Sequence, residues 1–544
     1  MKRDEDLGPH HRADEFHTDD EEHQAERNCD HEYDSESDNS SPSPNFQIHS
    51  FQAAIPTWPQ SYRKSMDMLG SVPPPSIWSF KGTIVADMTS SITSICKRRQ
   101  NSEFSPFLSK PFVSHHSLER EEVPTSTWPI KFSASSRSRF SIGELPQSNK
   151  DSSFAQAVLN GINVLCGIGL LTTPYAIKEG GWLSLLVLLL FGILCCYTGT
   201  LLKKCLESSP GLRTYPDIGQ AAFGLSGRLA ISIMLYVELY AACVEYIIMI
   251  SDNLSRLFPN TFINFAGTHL GSHQIFALTA TVIVLPTVWL RDLSLLSYLS
   301  VGGVGASILV AFCLLWVGVV DKVGFHHNGT ALNLAKLPFA IGIYGYGFSG
   351  HAVFPNIYTS MKEPSSFTSV LIVSFIFCWF MYTAVAICGF LMFGNSIKSQ
   401  YTLNMPVELM ASKIAVWTAV VNPITKYALT LTPVALSLEE LMPPGRLRSY
   451  SISLIIRTVL VISTLVVAVA FPFFGFVMAF IGSSLAMVVA VIFPCICYLR
   501  ILHERLNKLQ IAACIFTITV GVLTACFGTY SSIARLANNV MEGK

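Results

Sequence analysis

The sequence is 544 residues long, half hydrophobic and 14% charged, with 37 Lys+Arg against 37 Asp+Glu. Soluble domains carry roughly 25% charged residues, so this composition excludes an ordinary soluble globule. The lack of a concentrated basic face likewise excludes nucleic acid as a partner. The zero balance conceals two pieces: residues 1–150 hold 22 acidic and 16 basic residues, and residues 151–544 hold 15 and 21. The first piece begins with fifteen Asp/Glu against four Lys/Arg over residues 1–40 and continues with 23 Ser over 41–150. Such a stretch buries too little apolar surface to offset its ordering entropy. Residues 1–150 are therefore expected to be a disordered cytosolic region without a signal peptide. Serines beside Arg137 and Arg139 suit a kinase, and the region suits a regulatory partner.

From residue 151 to 544 the sequence is expected to form one transmembrane domain. Apolar runs of the length that crosses about 30 Å of hydrocarbon recur at 154–178, 182–204, 227–251, 274–290, 294–319, 337–360, 367–393, 412–436, 450–470, 473–499 and 509–531, eleven in all. A short amphipathic helix is expected over 215–223. Twelve of the fourteen cysteines lie in this domain, mostly inside apolar runs, and read as small buried hydrophobes. No metal site, disulfide framework or cofactor is implied. No GxxxxGK[ST], HExxH or GxSxG pattern occurs, which argues against nucleotide-driven or hydrolytic chemistry and against an enzyme. With the N-terminus in the cytosol, fourteen Lys/Arg flank the cytosolic ends of the spans and eight the opposite ends. That excess sets the N-terminus in the cytosol and the C-terminus in the lumen. The sequon at Asn328 then falls in a non-cytosolic loop and is a glycosylation candidate.

Two spans are interrupted. Span one carries Asn160 and Asn163, then Gly167-Ile168-Gly169, then Pro174. Span six carries Tyr344-Gly345-Tyr346-Gly347-Phe348, then Gly350, His351 and Pro355. The two spans cross the membrane in opposite directions, and corresponding interruptions in two halves point to a secondary-transporter site. A break exposes N–H and C=O groups that lipid cannot satisfy, so it must line a polar cavity. N–H groups after the break suit a carboxylate, and carbonyls before it suit an ammonium. Such a site receives a zwitterion, hence a neutral amino acid. The plainer reading is that these glycines only let helices pack closely.

The segments Asn163–Ala176 (NVLCGIGLLTTPYA), Tyr215–Gly224 (YPDIGQAAFG) and Asn422–Leu429 (NPITKYAL) resemble the amino acid/auxin permease superfamily. The chain is most similar to the plant and fungal vacuolar amino-acid transporters. The resemblance, over about 152–532, implies an all-α integral membrane protein of LeuT type. It implies a five-plus-five inverted repeat, about eleven transmembrane helices and discontinuous helices 1 and 6. It further implies proton-coupled movement of amino acids across the vacuolar membrane.

Ionisable groups inside spans are functional hypotheses by default. Lys426 lies near the middle of span eight. In LeuT-type folds that helix packs beside the break in helix one, where sodium-coupled relatives hold a cation. Lys426 therefore either takes part in proton coupling or serves as a static partner for Glu238 or backbone carbonyls. Glu238 and Glu245, seven apart, share a face of span three and either relay protons or act as polar glue between helices. His351 either titrates in an acidic compartment or is capped by hydrogen bonds. Arg457 is expected to snorkel to the cytosolic face. Asn163, Gly167, Ile168, Gly169, Tyr344, Gly345, Tyr346, Gly347, Phe348 and Thr425 are the substrate-binding candidates. Lys426, Glu238, Glu245 and His351 are the proton-coupling candidates. The expected function is a secondary active transporter with an amino acid, protons and the lipid bilayer as partners. The alternative is a membrane sensor that uses the same pocket with little flux.

Overall fold

The structure is a computed structural model that describes Trp58, Pro59, Tyr62, Ser65 and residues 152–541, apart from 266–267, 291–301, 327–328 and 443–449. All of these belong to one compact unit, Phe51–Lys544. Asn328 and the Arg137/Arg139 serines lie outside the described residues.

The first span is two helices. In α1 (Phe154–Leu165) the Ser153 hydroxyl caps the start, accepting from the Gln156 N–H at 3.3 Å. Helical geometry ends at Cys166, and α2 (Gly169–Gly180) leaves at a bend of 49°. Inside α2, Pro174 has no N–H for the Leu170 carbonyl. The Thr173 hydroxyl donates to that carbonyl at 3.2 Å, so no acceptor is stranded. Helix α3 spans Ser184–Glu207. The next helix, α4 (Tyr215–Leu257), opens with a reciprocal cap: Thr214 accepts from the Asp217 N–H, and the Asp217 carboxylate accepts from the Thr214 N–H at 2.9 Å. Phe223 and Gly224 depart from helical geometry, with Gly224 at φ 65°. Thus α4 is a short amphipathic helix, where one was expected, followed by a long span. A small hairpin of β1 (Ile263–Phe265) and β2 (Thr268–Leu270) follows.

Helices α5 (Ser272–Trp289) and α6 (Gly303–Val319) come next. The second interrupted span comprises α7 (Leu337–Gly347) and α8 (Phe354–Ser360). Beyond it lie α9 (Phe367–Phe393), α10 (Met410–Glu440) and α11 (Tyr450–Ala470). Helix α12 (Phe474–Ile481) runs through π-helical stretches at Gly482–Ala486 and Val488–Ile492 into α13 (Phe493–Ile501), and α14 spans Lys508–Met541. Among the described residues, seven helices are long and apolar enough to cross a membrane, or eight with the bent α1–α2 pair as one span. Spans five, six and eight of the expected eleven are present as helices but differ in kind. α6 is only 17 residues, α7 and α8 are short halves, and α10 carries Asn422, Thr425 and Lys426 in its interior.

The outside of the bundle is apolar: Leu190, Val282, Phe380, Val466 and Phe516 are 61–68% exposed. Water would not tolerate so wide an apolar belt, and lipid would. Inside, α4 packs along α10, α2 against α7, and α9 against α1 and α2. Small residues allow the tightest approach. A Cβ on Gly342 of α7 would meet the Ala479 carbonyl, and one on Gly482 would meet the Gly342 carbonyl. Buried Glu179 holds Arg535 of α14 at 2.7 Å and Lys336 at 3.7 Å, joining α2 and α14 at one end. Arg457 does not snorkel. It is buried against Glu439 at 3.0 Å and donates to the Val288 carbonyl at 2.8 Å, because a carboxylate one helix away satisfies it more directly than the interface. Gly482→Val should cost about 1–3 kcal/mol by overpacking, seen as a lower thermal midpoint and lower folded yield in detergent. An unchanged midpoint would show that this crossing does not set the packing.

Candidate substrate and ion site

The two breaks meet. Gly169, which begins α2, faces Gly347, which ends α7, so closely that a Cβ on Gly169 would lie against the Gly347 Cα. Carbonyls at the end of α1 are reached from three other helices, and the Leu165 carbonyl also accepts from the Gly167 N–H at 2.9 Å. The Lys426 ammonium of α10 donates to the Asn163 carbonyl at 3.5 Å. The Ser307 hydroxyl of α6 donates to the Cys166 carbonyl at 2.8 Å. The Tyr382 hydroxyl of α9 bonds the Leu165 carbonyl and reaches the Gly347 carbonyl at 2.8 Å, bridging both breaks. Gly303 at the start of α6 opposes Asn163 and Lys426, where a Cβ would press on both side chains. The Asn163 side-chain oxygen is buried with no hydrogen-bond partner among the described residues.

Beside this junction lies a cavity of about 40 Å³, lined by Gly167, Ile168, Tyr246, Ser307, Asn422 and Lys426 among others. That space suits a few waters. A second cavity of about 450 Å³ opens at the far end of the bundle, lined by Lys178, Asp252, Lys398 and Phe473.

The sequence candidates thus fall into groups. Gly167, Ile168 and Lys426 line the small cavity, and Asn163 and Gly169 lie at the junction. Of the span-six residues, Gly347 takes part directly. Gly345 packs on Gly482 and Met487. The Tyr344 hydroxyl is bonded to Ser184 at 2.9 Å, and Phe348 packs on Phe375 and Tyr382 with ring centroids 5.8 and 5.3 Å away. Thr425 donates to the Asn422 carbonyl of its own helix at 2.7 Å.

Glu238 accepts from Ser349 in the second break at 2.6 Å, not from Lys426. Glu245 is fully buried beside Tyr346 and Tyr246. Both glutamates of α4 therefore face the second break, while Lys426 faces the first. His351 is held by Thr198 at 2.9 Å and the Cys195 carbonyl at 3.1 Å, both on α3. Sequence reasoning missed Tyr382 and Ser307. Ser307 is the one hydroxyl of α6, which was an available signal, whereas Tyr382 is one of five hydroxyl residues on α9 and nothing local sets it apart.

A membrane-embedded helical bundle whose two broken spans meet at buried polar groups is the architecture of a transporter. The chain belongs to the transmembrane amino acid transporter protein family, whose model matches residues 150–534. It is 55% identical to amino acid transporter AVT1E of Arabidopsis thaliana over 532 residues, covering 96% of this chain and 97% of that protein. It is 56% identical to amino acid transporter AVT1D of the same plant over 493 residues, covering 90% and 88%. The first of these matches reaches beyond the family model into the N-terminal 150 residues. Among solved structures, the Eremococcus coleocola manganese transporter aligns over 73% of this chain and 91% of that one, with TM-score 0.43 at 12% identity, a likeness too distant to argue from.

Tyr382→Phe keeps the ring against Phe348 but removes the hydroxyl from both breaks. Losing a bond to buried carbonyls costs about 1–3 kcal/mol, so the purified variant should unfold several degrees lower on a thermal ramp. A midpoint equal to wild type would mean that this hydroxyl does not tie the breaks together.

Proposed function

We propose that this protein is a secondary active transporter that moves neutral amino acids across the vacuolar membrane with proton coupling. The observation that carries the reading is the junction of the two breaks with the Lys426 ammonium seated on the Asn163 carbonyl. Membership of the transmembrane amino acid transporter family supports the substrate class. A zwitterion matches the groups present. The start of α2 presents a positive dipole end to a carboxylate, with the Ile168 and Gly169 N–H groups ahead of Leu170 and Leu171, whose own N–H groups donate to the Gly167 and Ile168 carbonyls. The carbonyl ends of α1 and α7, with the unpartnered Asn163 side-chain oxygen, accept from an ammonium.

Proton coupling is supported by where the ionisable groups sit. Lys426 is a tethered cation at the first break, and Glu238 with Ser349 is a carboxylate at the second. A proton gained or lost at either changes how well its break is held, which is what an ion-coupled conformational cycle requires. The N-terminus in the cytosol and the C-terminus in the lumen follow from the loop charges.

The test is uptake of a panel of labelled amino acids into proteoliposomes under a pH gradient, with and without sodium. Neutral amino acids should accumulate with the gradient and without sodium. Lys426→Met should reduce that accumulation about tenfold or more, equivalent to about 1.4 kcal/mol. Glu238→Gln should flatten the pH dependence of the initial rate. Dependence on sodium alone, or a wild-type pH profile in both variants, would remove the proton assignment. Specific binding without flux would favour the sensor.

A further inference from the structure

Four described residues precede the first span, and they sit in the membrane unit. Tyr62 is 1% exposed, and Pro59 and Ser65 are buried. The Tyr62 hydroxyl donates to the Ala352 carbonyl at 2.7 Å, inside the non-helical link between α7 and α8. The Trp58 indole N–H donates to the Ser437 carbonyl in the last turns of α10 at 2.9 Å. Arg228 of α4 donates to the Trp58 carbonyl at 3.1 Å and to the Pro59 carbonyl at 3.2 Å. Both rings pack on Tyr236 of α4, with centroids 5.7 and 6.1 Å away. Three elements are thereby tied together by one stretch of chain: the long helix α4, the end of α10, and the break that also offers Ser349 to Glu238.

The location matters as much as the bonds. These contacts lie at the end of the bundle where α1 begins. There Ser152 bridges to α8, its N–H donating to the Ser360 carbonyl at 3.1 Å and its carbonyl accepting from the Lys362 N–H at 3.0 Å. The 450 Å³ cavity opens at the opposite end. One end of the bundle is thus covered partly by residues from outside it, while at the other end, among the described residues, a cavity stands open. Arg228 is itself fixed by Asp217 at 3.3 Å, the residue that caps the short amphipathic helix, so the seal is anchored on a rigid base.

We propose that Trp58, Pro59 and Tyr62 are an intramolecular plug. The mouth between α4, the α7–α8 link and α10 is a docking site for this part of the chain, and passage through that mouth requires its release. The claim that release permits passage rests on the transporter reading above, whereas docking does not. A plug of this kind shifts a two-state equilibrium by the free energy of its own contacts, so loosening it should speed transport rather than abolish it.

The experiment uses the full chain in proteoliposomes, comparing wild type with Trp58→Ala/Tyr62→Ala. Two readouts are taken. The first is the initial rate of amino-acid uptake, expected to rise about threefold or more in the double variant. The second is labelling of Ser437→Cys by a membrane-impermeant maleimide, read on that peptide by mass spectrometry. Labelling is expected to be slow with Trp58 and Tyr62 present and several-fold faster without them. A synthetic peptide of residues 51–70 should restore both the slow rate and the protection, and a scrambled peptide should not. Tyr62→Phe, which loses only the bond to Ala352, should move both readouts in the same direction by less, and it serves if the double variant is unstable. Unchanged labelling, or a slower rate with a lowered thermal midpoint, would make the segment a strut and overturn the plug. Labelling needs no substrate, so absent flux in every protein would defeat the transporter reading and still leave the plug decided.

Discussion

In hydrocarbon no water is at hand to pair a free backbone group, and each unpaired N–H or C=O is costly. This constraint governs the molecule. The chain interrupts two of its helices inside the apolar belt, and the surrounding helices are organised to supply what the interruptions expose. Lys426, Ser307 and Tyr382 come from three helices distant in sequence and each claims a carbonyl near the end of α1. Tyr62 claims one in the second break, and Ser349 turns its own hydroxyl to Glu238. Thr173 serves the carbonyl that Pro174 abandons.

Much of the architecture was legible in the sequence because membrane thickness imposes a length on apolar runs. The two broken helices were legible because Gly clusters beside Pro mark them. The kink at Phe223 and Gly224 falls where the amphipathic stretch gives way to the long span. The details of the site were less legible. Tyr382 is one of five hydroxyl residues among the 27 residues of α9, and nothing local says that it will lie across from Leu165 and Gly347. Pairing between spans depends on how helices are assembled, which hydropathy does not encode. Arg457 shows the same limit: its carboxylate partner, Glu439, lies on a different helix.

The N-terminal region illustrates a different limit. Composition averaged over 150 residues reports the majority, and that majority is acidic and Ser-rich. Four residues within it pack on the bundle, Pro59, Tyr62 and Ser65 buried and Trp58 half-buried, and two of them are aromatic with side-chain donors. A short aromatic anchor with two donors is lost in such an average. Trp and Tyr are suited to that use, since each presents a large apolar ring and one hydrogen-bonding tip.

A phenol carries a single proton, yet Tyr382 stands within bonding distance of two carbonyls, one at the end of each broken half-helix. It can donate fully to only one at a time, but the Leu165 carbonyl also accepts from the Gly167 N–H at 2.9 Å. The hydroxyl can therefore turn wholly to Gly347 without stranding an acceptor at the end of α1. The place where the two half-helices touch thus has a hydrogen bond to spare, and one phenol can follow the second half-helix while the first keeps its own backbone partner.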